Sequence, residues 1–252
     1  MNASSEAVLA KVLQVTLGFW VIKILATTLG ETAGDAVSMS MNLGYLLSTG
    51  IFLVIFVAAV AAQVAARKFR PVLYWATIVA STTVGTTLAD FADRSLGIGY
   101  LGGSLLLAAL LVASLLTWFR TLGSVDISSV RSPGSEGFYW LTIMFSQTLG
   151  TALGDWTAEL PGVGYLGAAA IFGTLLLAVV VAHFRTRISS TVLFWAAFVL
   201  TRPLGAVVGD FLDKPVSSGG LELSRYSATA TLVVLIVACI CLFPHRAART
   251  AH

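Results

Sequence analysis

The chain has 252 residues, of which 57% are apolar and 11% are charged, and its mean hydropathy is +0.90. A soluble domain carries about 25% charged residues, so this composition excludes an ordinary soluble protein and predicts an integral protein of the lipid bilayer. The net charge of +3 comes from basic clusters of the kind that orient membrane loops, so we expect no nucleic-acid partner.

Eight membrane-spanning helices are predicted. In chain order they cover residues 12–37, 44–66, 72–92, 99–119, 138–158, 164–184, 191–212 and 226–243. The second, fourth and sixth are long enough to cross a bilayer core and contain no Asp, Glu, Lys or Arg. The first is not expected to be a signal peptide, because Lys23, Glu31 and Asp35 lie inside it and no small-residue cleavage site follows an apolar core.

The basic residues predict the orientation of the chain in the membrane. Only Arg94, Lys214 and Arg225 fall in loops that follow odd-numbered helices. The others outside the helices fall at the termini or in loops that follow even-numbered helices: Lys11, Arg67, Lys68, Arg70, Arg120, Arg131, Arg185, Arg187, Arg246 and Arg249. Because positive loops stay inside, we expect both termini in the cytoplasm.

One sequence unit occurs four times, with a glycine ten residues and an aspartate fifteen residues after a tryptophan. The tryptophans are Trp20, Trp75, Trp140 and Trp195, at intervals of 55, 65 and 55 residues. A fixed period of this kind predicts a repeat architecture. We expect a single membrane domain over residues 11–243, with repeats at 12–70, 71–120, 136–187 and 190–246 and a polar cytoplasmic linker at 121–135.

Each unit consists of an odd helix, a short loop and an even helix. Since two helices per unit is an even number, all four copies point the same way and are related by an axis along the membrane normal. Even helices are rich in Leu, Val and Ala, whereas odd helices carry small and polar residues. The predicted fold is therefore an all-α integral membrane protein, with eight transmembrane helices as four parallel tandem two-helix repeats. The odd helices are expected to be inner and polar, and the even helices outer and apolar.

Small and polar residues recur every fourth position along the odd helices. The small residues let helix backbones approach closely, and most of them are glycines: Gly30, Gly34, Gly85, Gly150, Gly154, Gly205 and Gly209. One position further on runs a stripe that shares one helix face: Thr27, Glu31 and Asp35; Thr82, Thr86 and Asp90; Gln147, Thr151 and Asp155; Arg202, Ala206 and Asp210. We expect the odd helices to pack through their glycines and to turn these stripes to a shared interior.

Carboxylates are the candidate ion-binding groups. An ionisable group inside a membrane costs at least about 2.5 kcal/mol and usually faces a partner or water. The candidates are Asp35, Asp90, Asp155, Asp210, Glu31, Asp93 and Asp213, at an outer mouth that we expect to be net acidic. Two pairs three residues apart, Asp90 with Asp93 and Asp210 with Asp213, are candidate metal ligands because hard divalent cations prefer oxygen. The structural alternative is that the repeated aspartates only cap the following loops.

Lys23 and Arg202 lie well inside the predicted bilayer and are the candidate gating charges. Lys23 and Glu31 are two turns apart on one helix, about 12 Å, within reach of a shared water. Pro203 removes a helix hydrogen bond and is expected to kink and break helix seven. We hypothesise that Arg202 faces Glu31 across the interior, because neither charge is stable alone in a membrane.

The four units, each with a tryptophan and a downstream glycine and aspartate, resemble a family of uncharacterised bacterial membrane proteins catalogued as a tandem repeat of unknown function. The resemblance covers about residues 12–246 and implies a protein of the bacterial inner (plasma) membrane. Repeat four departs from the pattern through Arg202 and Pro203. A weaker likeness is that residues 30–35, GETAGD, resemble the Glu-x-Gly-Asp signatures of small calcium or manganese exchangers, with one extra residue.

Three functions follow as alternatives. The first is a cation transporter, such as a proton-coupled exporter of a divalent cation like Mn²⁺ or Ca²⁺, in which the repeated aspartates bind the ion and no cofactor is needed. The second is a cation channel in which Asp35, Asp90, Asp155 and Asp210 form a selectivity ring. The third is a magnesium-dependent membrane enzyme that uses the Asp-x-x-Asp pairs. We expect a transporter and not an enzyme.

Overall fold

A computed structural model describes residues 12–66 and 68–248. Lys11, Arg67 and Arg249, which contributed to the predicted orientation, lie outside the described residues. Lys11 is also the first residue of the predicted domain. Within the described residues the chain forms the eight predicted helices: α1 (Leu17–Asp35), α2 (Gly44–Ala65), α3 (Pro71–Asp90), α4 (Gly99–Leu122), α5 (Pro133–Ala158), α6 (Gly164–Arg185), α7 (Ser190–Asp213) and α8 (Arg225–Leu242).

Six segments of the described chain are long and apolar enough to cross a membrane. They are Gly44–Ala65, Pro71–Ser95, Gly99–Leu122, Gly164–Arg185, Ser190–Asp213 and Arg225–Leu242. Helices α1 and α5 are not among them. The structure therefore confirms the prediction of an all-helical chain with eight helices, most of which are long and apolar enough to span a bilayer.

Helix ends follow local capping chemistry. The side chain of Thr16 accepts a hydrogen bond from the Phe19 N–H at 3.2 Å, so α1 begins at Leu17 and not at residue 12. Ser132 forms a capping box and Pro133 occupies the first turn, so α5 begins before the predicted residue 138. At the starts of three even helices the chain reverses through glycines with positive φ, which glycine adopts without a steric penalty: Gly44, Gly99 and Gly164.

The segment between α4 and α5, predicted as a polar linker, packs against the protein. Ile127 and Val130 are buried in the main hydrophobic core. The indole N–H of Trp195 donates to the carbonyl of Val125 at 3.1 Å, and the Thr191 hydroxyl donates to Asp126 at 2.9 Å. These contacts tie the segment to the start of α7.

The four odd helices form a closed inner ring. Helix α1 packs on α3, α3 on α5, α5 on α7 and α7 on α1. The even helices lie outside this ring, and each packs mainly on the odd helix of the next repeat: α2 on α3, α4 on α5, α6 on α7 and α8 on α1. Main-chain hydrogen bonds between Gln14 and Arg246 (2.8 Å) and between Ala248 and Val12 (2.9 Å) join the two ends of the described chain. Repeat four therefore closes the ring on repeat one.

Aromatic residues hold the first turns of the inner helices together. The ring before the tryptophan of one helix contacts the tryptophan of the next helix, with centroids 5.5 to 6.3 Å apart: Phe19 with Trp75, Tyr74 with Trp140, Tyr139 with Trp195, and Phe194 with Trp20. The hydroxyls of Tyr74 and Tyr139 are also hydrogen-bonded at 2.6 Å. The same contact thus recurs at all four interfaces of the ring.

Candidate functional site

The inner helices pack through the predicted glycines. Gly30, Gly85, Gly150 and Gly205 each face the residue seven positions after the tryptophan of the next helix: Thr82, Gln147, Arg202 and Thr27. A Cβ at Gly85 would lie 2.9 Å from the main-chain carbon of Gln147, so no larger residue fits without a shift. The second glycines of the predicted stripe, Gly34, Gly154 and Gly209, lie against the next helix in the same way.

The predicted polar stripes face the interior of the ring and form three layers of buried side chains. The first layer after the aromatic residues, called the central layer because it contains Arg202 on the axis, is Thr27, Thr82, Gln147 and Arg202. The next layer is Glu31, Thr86, Thr151 and Ala206, and the aspartate layer is Asp35, Asp90, Asp155 and Asp210. None of these side chains is more than 4% exposed, so the axis of the ring is polar and closed to solvent at these layers.

Arg202 lies at the centre of the ring and is completely buried. Its Nη2 is 3.0 Å from a carboxylate oxygen of Glu31 and donates to the hydroxyls of Thr86 at 2.5 Å and Thr151 at 2.6 Å. Its Nη1 and Nε donate to the main-chain carbonyls of Thr27 and Gln147. Helix α7 continues through Pro203 from Ser190 to Asp213, so the expectation of a broken helix was wrong.

Glu31 is the partner that the sequence hypothesis gave to Arg202. It is 2% exposed, and it also accepts a hydrogen bond from the Thr86 hydroxyl at 3.2 Å. Its Cβ packs against Gly209 of α7, where an added Cβ would lie 2.6 Å away. Glu31 is therefore held in place by a close helix contact on one side and by a guanidinium on the other.

Lys23 makes its closest side-chain contacts with α5 and α7. Its Nζ lies 3.5 Å from the side-chain oxygen of Gln147 and 4.1 Å from the centre of the Phe198 ring. Lys23 is fully buried, one layer closer to the aromatic end than Arg202. Within the described part of the chain it forms no ion pair, so the interior contains a lysine stabilised by an amide and an aromatic face.

Two basic residues, Arg94 and Lys214, bridge the aspartate layer. Arg94 lies 3.1 Å from Asp90 and 3.3 Å from Asp155. Lys214 lies 3.1 Å from Asp210 and also contacts Asp35. Each base follows the aspartate of its own repeat by four residues, and this i,i+4 spacing was the signal in the sequence. Each of the four aspartates of this layer therefore contacts a base.

Lys214 directly follows α7 and is surrounded by carboxylates. Burial lowers the pKa of its ammonium group, but the carboxylates of Asp210 and Asp35 outweigh that effect and leave the pKa raised above its usual value. Lys214 consequently stays protonated at neutral pH. Its side chain is 11% exposed and that of Arg94 is 30% exposed, so both cations cover the aspartate layer from the solvent side.

The two carboxylates of each Asp-x-x-Asp pair take separate partners in the structure, and their role as metal ligands stays a prediction. Asp90 contacts Arg94, whereas Asp93 lies in a π-helical turn (Phe91–Ser95) and packs against Gly103 of α4. Asp210 contacts Lys214, whereas Asp213 pairs with Arg225 at 3.0 Å. A π-helical turn separates Asp93 from the regular helix that contains Asp90, whereas Asp210 and Asp213 both lie in α7 and each contacts its own base.

A different set of carboxylates converges. Glu31, Asp35 and Asp210 each offer an oxygen, and these oxygens all lie within 4.8 Å of one another. The three residues come from α1 and α7, at the junction where repeat four meets repeat one. Among the described residues, one oxygen of Asp35 (Oδ1) has no hydrogen-bond donor. This group, called the junction site below, is compatible with oxygen coordination of a cation.

Four two-helix units around a buried polar axis define a helical repeat protein. The chain belongs to the family described as Repeat of Unknown Function (DUF347), whose model matches residues 18–69, 73–124, 138–189 and 193–248. The matched segments begin 55, 65 and 55 residues apart, the same intervals as the tryptophans. No curated protein and no solved structure matches the chain. These comparisons give no support to the likeness between residues 30–35 and cation exchangers.

Proposed function

We propose that the protein spans the bacterial inner membrane with four parallel two-helix repeats and both termini in the cytoplasm. The outer surfaces of the even helices support this proposal, because they expose large apolar side chains such as Leu46, Val54 and Leu177. Contiguous apolar surface of this kind is unfavourable in water and marks a membrane or protein interaction. Under this arrangement the aspartate layer faces the outside and the aromatic layer faces the cytoplasm.

We further propose that the protein is a proton-coupled transporter that exports a divalent cation, with the junction site as its binding site. The observation that carries the proposal is the convergence of three buried carboxylates, Glu31, Asp35 and Asp210, within 4.8 Å. Hard cations such as Mn²⁺ and Ca²⁺ prefer carboxylate oxygens. A buried acidic group in a membrane is typical of ion and proton pathways.

The neighbours of the junction site suggest how release is achieved. Arg202 contacts Glu31 from the centre of the ring, and Lys214 contacts Asp35 and Asp210 from the solvent side. A bound divalent cation has to displace the Lys214 ammonium from these oxygens, because both compete for the same lone pairs. Protons that neutralise the carboxylates favour release of the metal, which couples the two ions.

The geometry favours a transporter over the two alternatives. An open channel needs a continuous path, but buried side chains fill the ring at the aromatic, central and aspartate layers. The enzyme alternative depended on paired carboxylates in the Asp-x-x-Asp motifs, and these carboxylates take different partners. Neither alternative has an observation in its favour comparable to the junction site.

The experiment is cation flux into proteoliposomes, measured with Mn²⁺, Ca²⁺, Mg²⁺ and K⁺ while internal pH is recorded. Asp210→Asn removes a junction carboxylate, and Asp90→Asn is the matched control because Asp90 has the same register and is bridged by Arg94 at the opposite junction. We expect saturable divalent flux with opposite proton movement, lost in Asp210→Asn and retained in Asp90→Asn. Equal loss in both variants contradicts the location of the site, and no flux in folded wild-type protein contradicts transport.

A further inference from the structure

The guanidinium of Arg202 is surrounded by oxygen atoms from the other three inner helices. Three are main-chain carbonyl oxygens: Thr27 at 2.8 Å from Nη1, Gln147 at 3.3 Å from Nε and Thr82 at 3.4 Å from Nη2. Three are side-chain oxygens: those of Glu31, Thr86 and Thr151 at 2.5 to 3.0 Å from Nη2. Helices α1, α3 and α5 thus each supply one carbonyl and one side-chain oxygen.

The repeat register explains this regular arrangement. The three carbonyls belong to the residues seven positions after the tryptophans, and the three side chains lie eleven positions after them. Arg202 is itself the residue at position seven of repeat four, where repeats one and two have threonine and repeat three has glutamine. Repeats one to three therefore build an oxygen cage on the axis, and repeat four fills it with its own side chain.

We propose that this axial cage is a binding site for a small monovalent cation of the guanidinium type, and that Arg202 is its tethered occupant. The cage contains one carboxylate and five neutral oxygens, so its charge matches a single positive charge. Its oxygens lie around a flat, forked group, which is the geometry that guanidinium recognises. A free cation replaces the Arg202 side chain once that side chain is shortened.

This inference depends on the axial contacts and not on the proposed transport. The two sites share Glu31, but transport is tested through Asp210→Asn and the cage through variants of Arg202. The test uses the full chain in detergent and measures the midpoint of thermal unfolding against guanidinium chloride at millimolar concentrations. Arg202→Thr gives repeat four the residue of repeats one and two and empties the cage. Arg202→Lys is the matched control because its ammonium still fills the cage, and urea is the uncharged control for guanidinium.

We expect guanidinium to raise the midpoint of Arg202→Thr and to saturate, as a ligand specific to the folded state does. Urea should not raise it, and neither wild type nor Arg202→Lys should respond. Adding Glu31→Gln to Arg202→Thr removes the charged acceptor and should weaken guanidinium binding about tenfold to a hundredfold. That loss would place the bound cation in the cage.

Two results would overturn the proposal. The first is a folded Arg202→Thr protein that guanidinium does not stabilise, and the second is an equal response of wild type, which would locate binding elsewhere. If Arg202→Thr does not fold, Arg202→Gln, which carries the residue of repeat three, is purified with and without guanidinium. Recovery only with guanidinium supports the cage. Failure of both variants to fold in its presence overturns it, because a free cation then does not replace the side chain.

Discussion

Replacing Arg202 by glutamine removes the guanidinium from the ring and leaves Glu31 without its cationic partner. Glu31 is 2% exposed, and among the described residues its remaining hydrogen-bond donor is the Thr86 hydroxyl. Removing one member of a buried ion pair costs about 3–5 kcal/mol, because the other charge stays buried and unpaired. We therefore expect Arg202→Gln to lower the free energy of unfolding by about that amount.

The reverse substitution should cost less, and the structure gives the reason. In Glu31→Gln the guanidinium retains five oxygen acceptors, from Thr27, Thr82, Thr86, Gln147 and Thr151. The new amide oxygen can still accept from Nη2. Weakening one charged hydrogen bond costs about 1.5–3 kcal/mol, so we expect a smaller loss than for Arg202→Gln.

The double variant tests whether the two residues act as a pair. In Arg202→Gln/Glu31→Gln neither member of the pair is charged, so this protein should be more stable than Arg202→Gln alone. Residues in one hydrogen-bond network show coupling energies of about 0.5–3 kcal/mol. A total stability of roughly 5–15 kcal/mol leaves the single variants measurable.

The assay is reversible unfolding by sodium dodecyl sulfate in mixed micelles, followed by far-ultraviolet circular dichroism. Guanidinium chloride is avoided because it is the probe for the axial cage. Arg120→Gln, at an exposed position on α4, is the control and should change stability by less than about 0.5 kcal/mol. Additive losses in the double variant, or a larger loss for Glu31→Gln than for Arg202→Gln, would refute this reasoning.

Three further predictions concern packing, the aromatic layer and the outer mouth. Gly85→Ala places a Cβ 2.9 Å from the main chain of α5 and should lose about 1–3 kcal/mol in thermal unfolding, whereas Gly50→Ala, with nothing within 4 Å, should lose no stability. Tyr74→Phe leaves the buried Tyr139 hydroxyl unpaired and should cost about 1–3 kcal/mol, part of which Tyr139→Phe restores in the double variant. Because the folded-state pKa of Lys214 is raised, its contribution relative to Lys214→Gln should be complete below about pH 10 and decline only above it; a decline near neutral pH contradicts this assignment.

The repeat and the direction of the polar stripes could be predicted because both depend on periodicity alone. A spacing of four residues fixes one face of a helix, and equal distances from each tryptophan fix a common depth. Asp35, Asp90, Asp155 and Asp210 therefore fall into one layer, as the register implied. The glycine faces of the inner helices could be predicted for the same reason, because these glycines also recur every fourth residue.

The ring order could not be predicted from the sequence. A short loop allows an even helix to pack on its own odd helix or on the next one, and α2 packs on α3. The bridges made by Arg94 and Lys214 depend on that order, because each base reaches the aspartate of the following repeat. Periodicity along one helix carries no information about its neighbour.

Lys23 and Asp93 show two other limits of sequence reasoning. For Lys23 we considered only its own helix, but the nearest acceptor comes from α5, as Gln147. For Asp93 we assumed a regular helix, but a π-helical turn rotates its side chain toward α4. At both positions a tertiary contact or an irregular turn decides the partner of the charged group.

The backbone contacts of the four repeats are alike, whereas their charges are not. Each interface has the same glycine contact and the same aromatic contact, so symmetry is sufficient to explain the ring. At the register position of Glu31 only repeat one has a carboxylate, and at the position of Arg202 only repeat four has a guanidinium. Both lie at the junction between α7 and α1, together with Asp35 and Asp210. The opposite interface, between α3 and α5, has hydroxyl groups at the equivalent positions and makes the same packing contacts. Packing of the ring therefore does not require a buried carboxylate and guanidinium at the α7–α1 interface. The departures from symmetry therefore coincide with the proposed transport site and the axial cage, and this coincidence is the reason for placing both proposals at this junction.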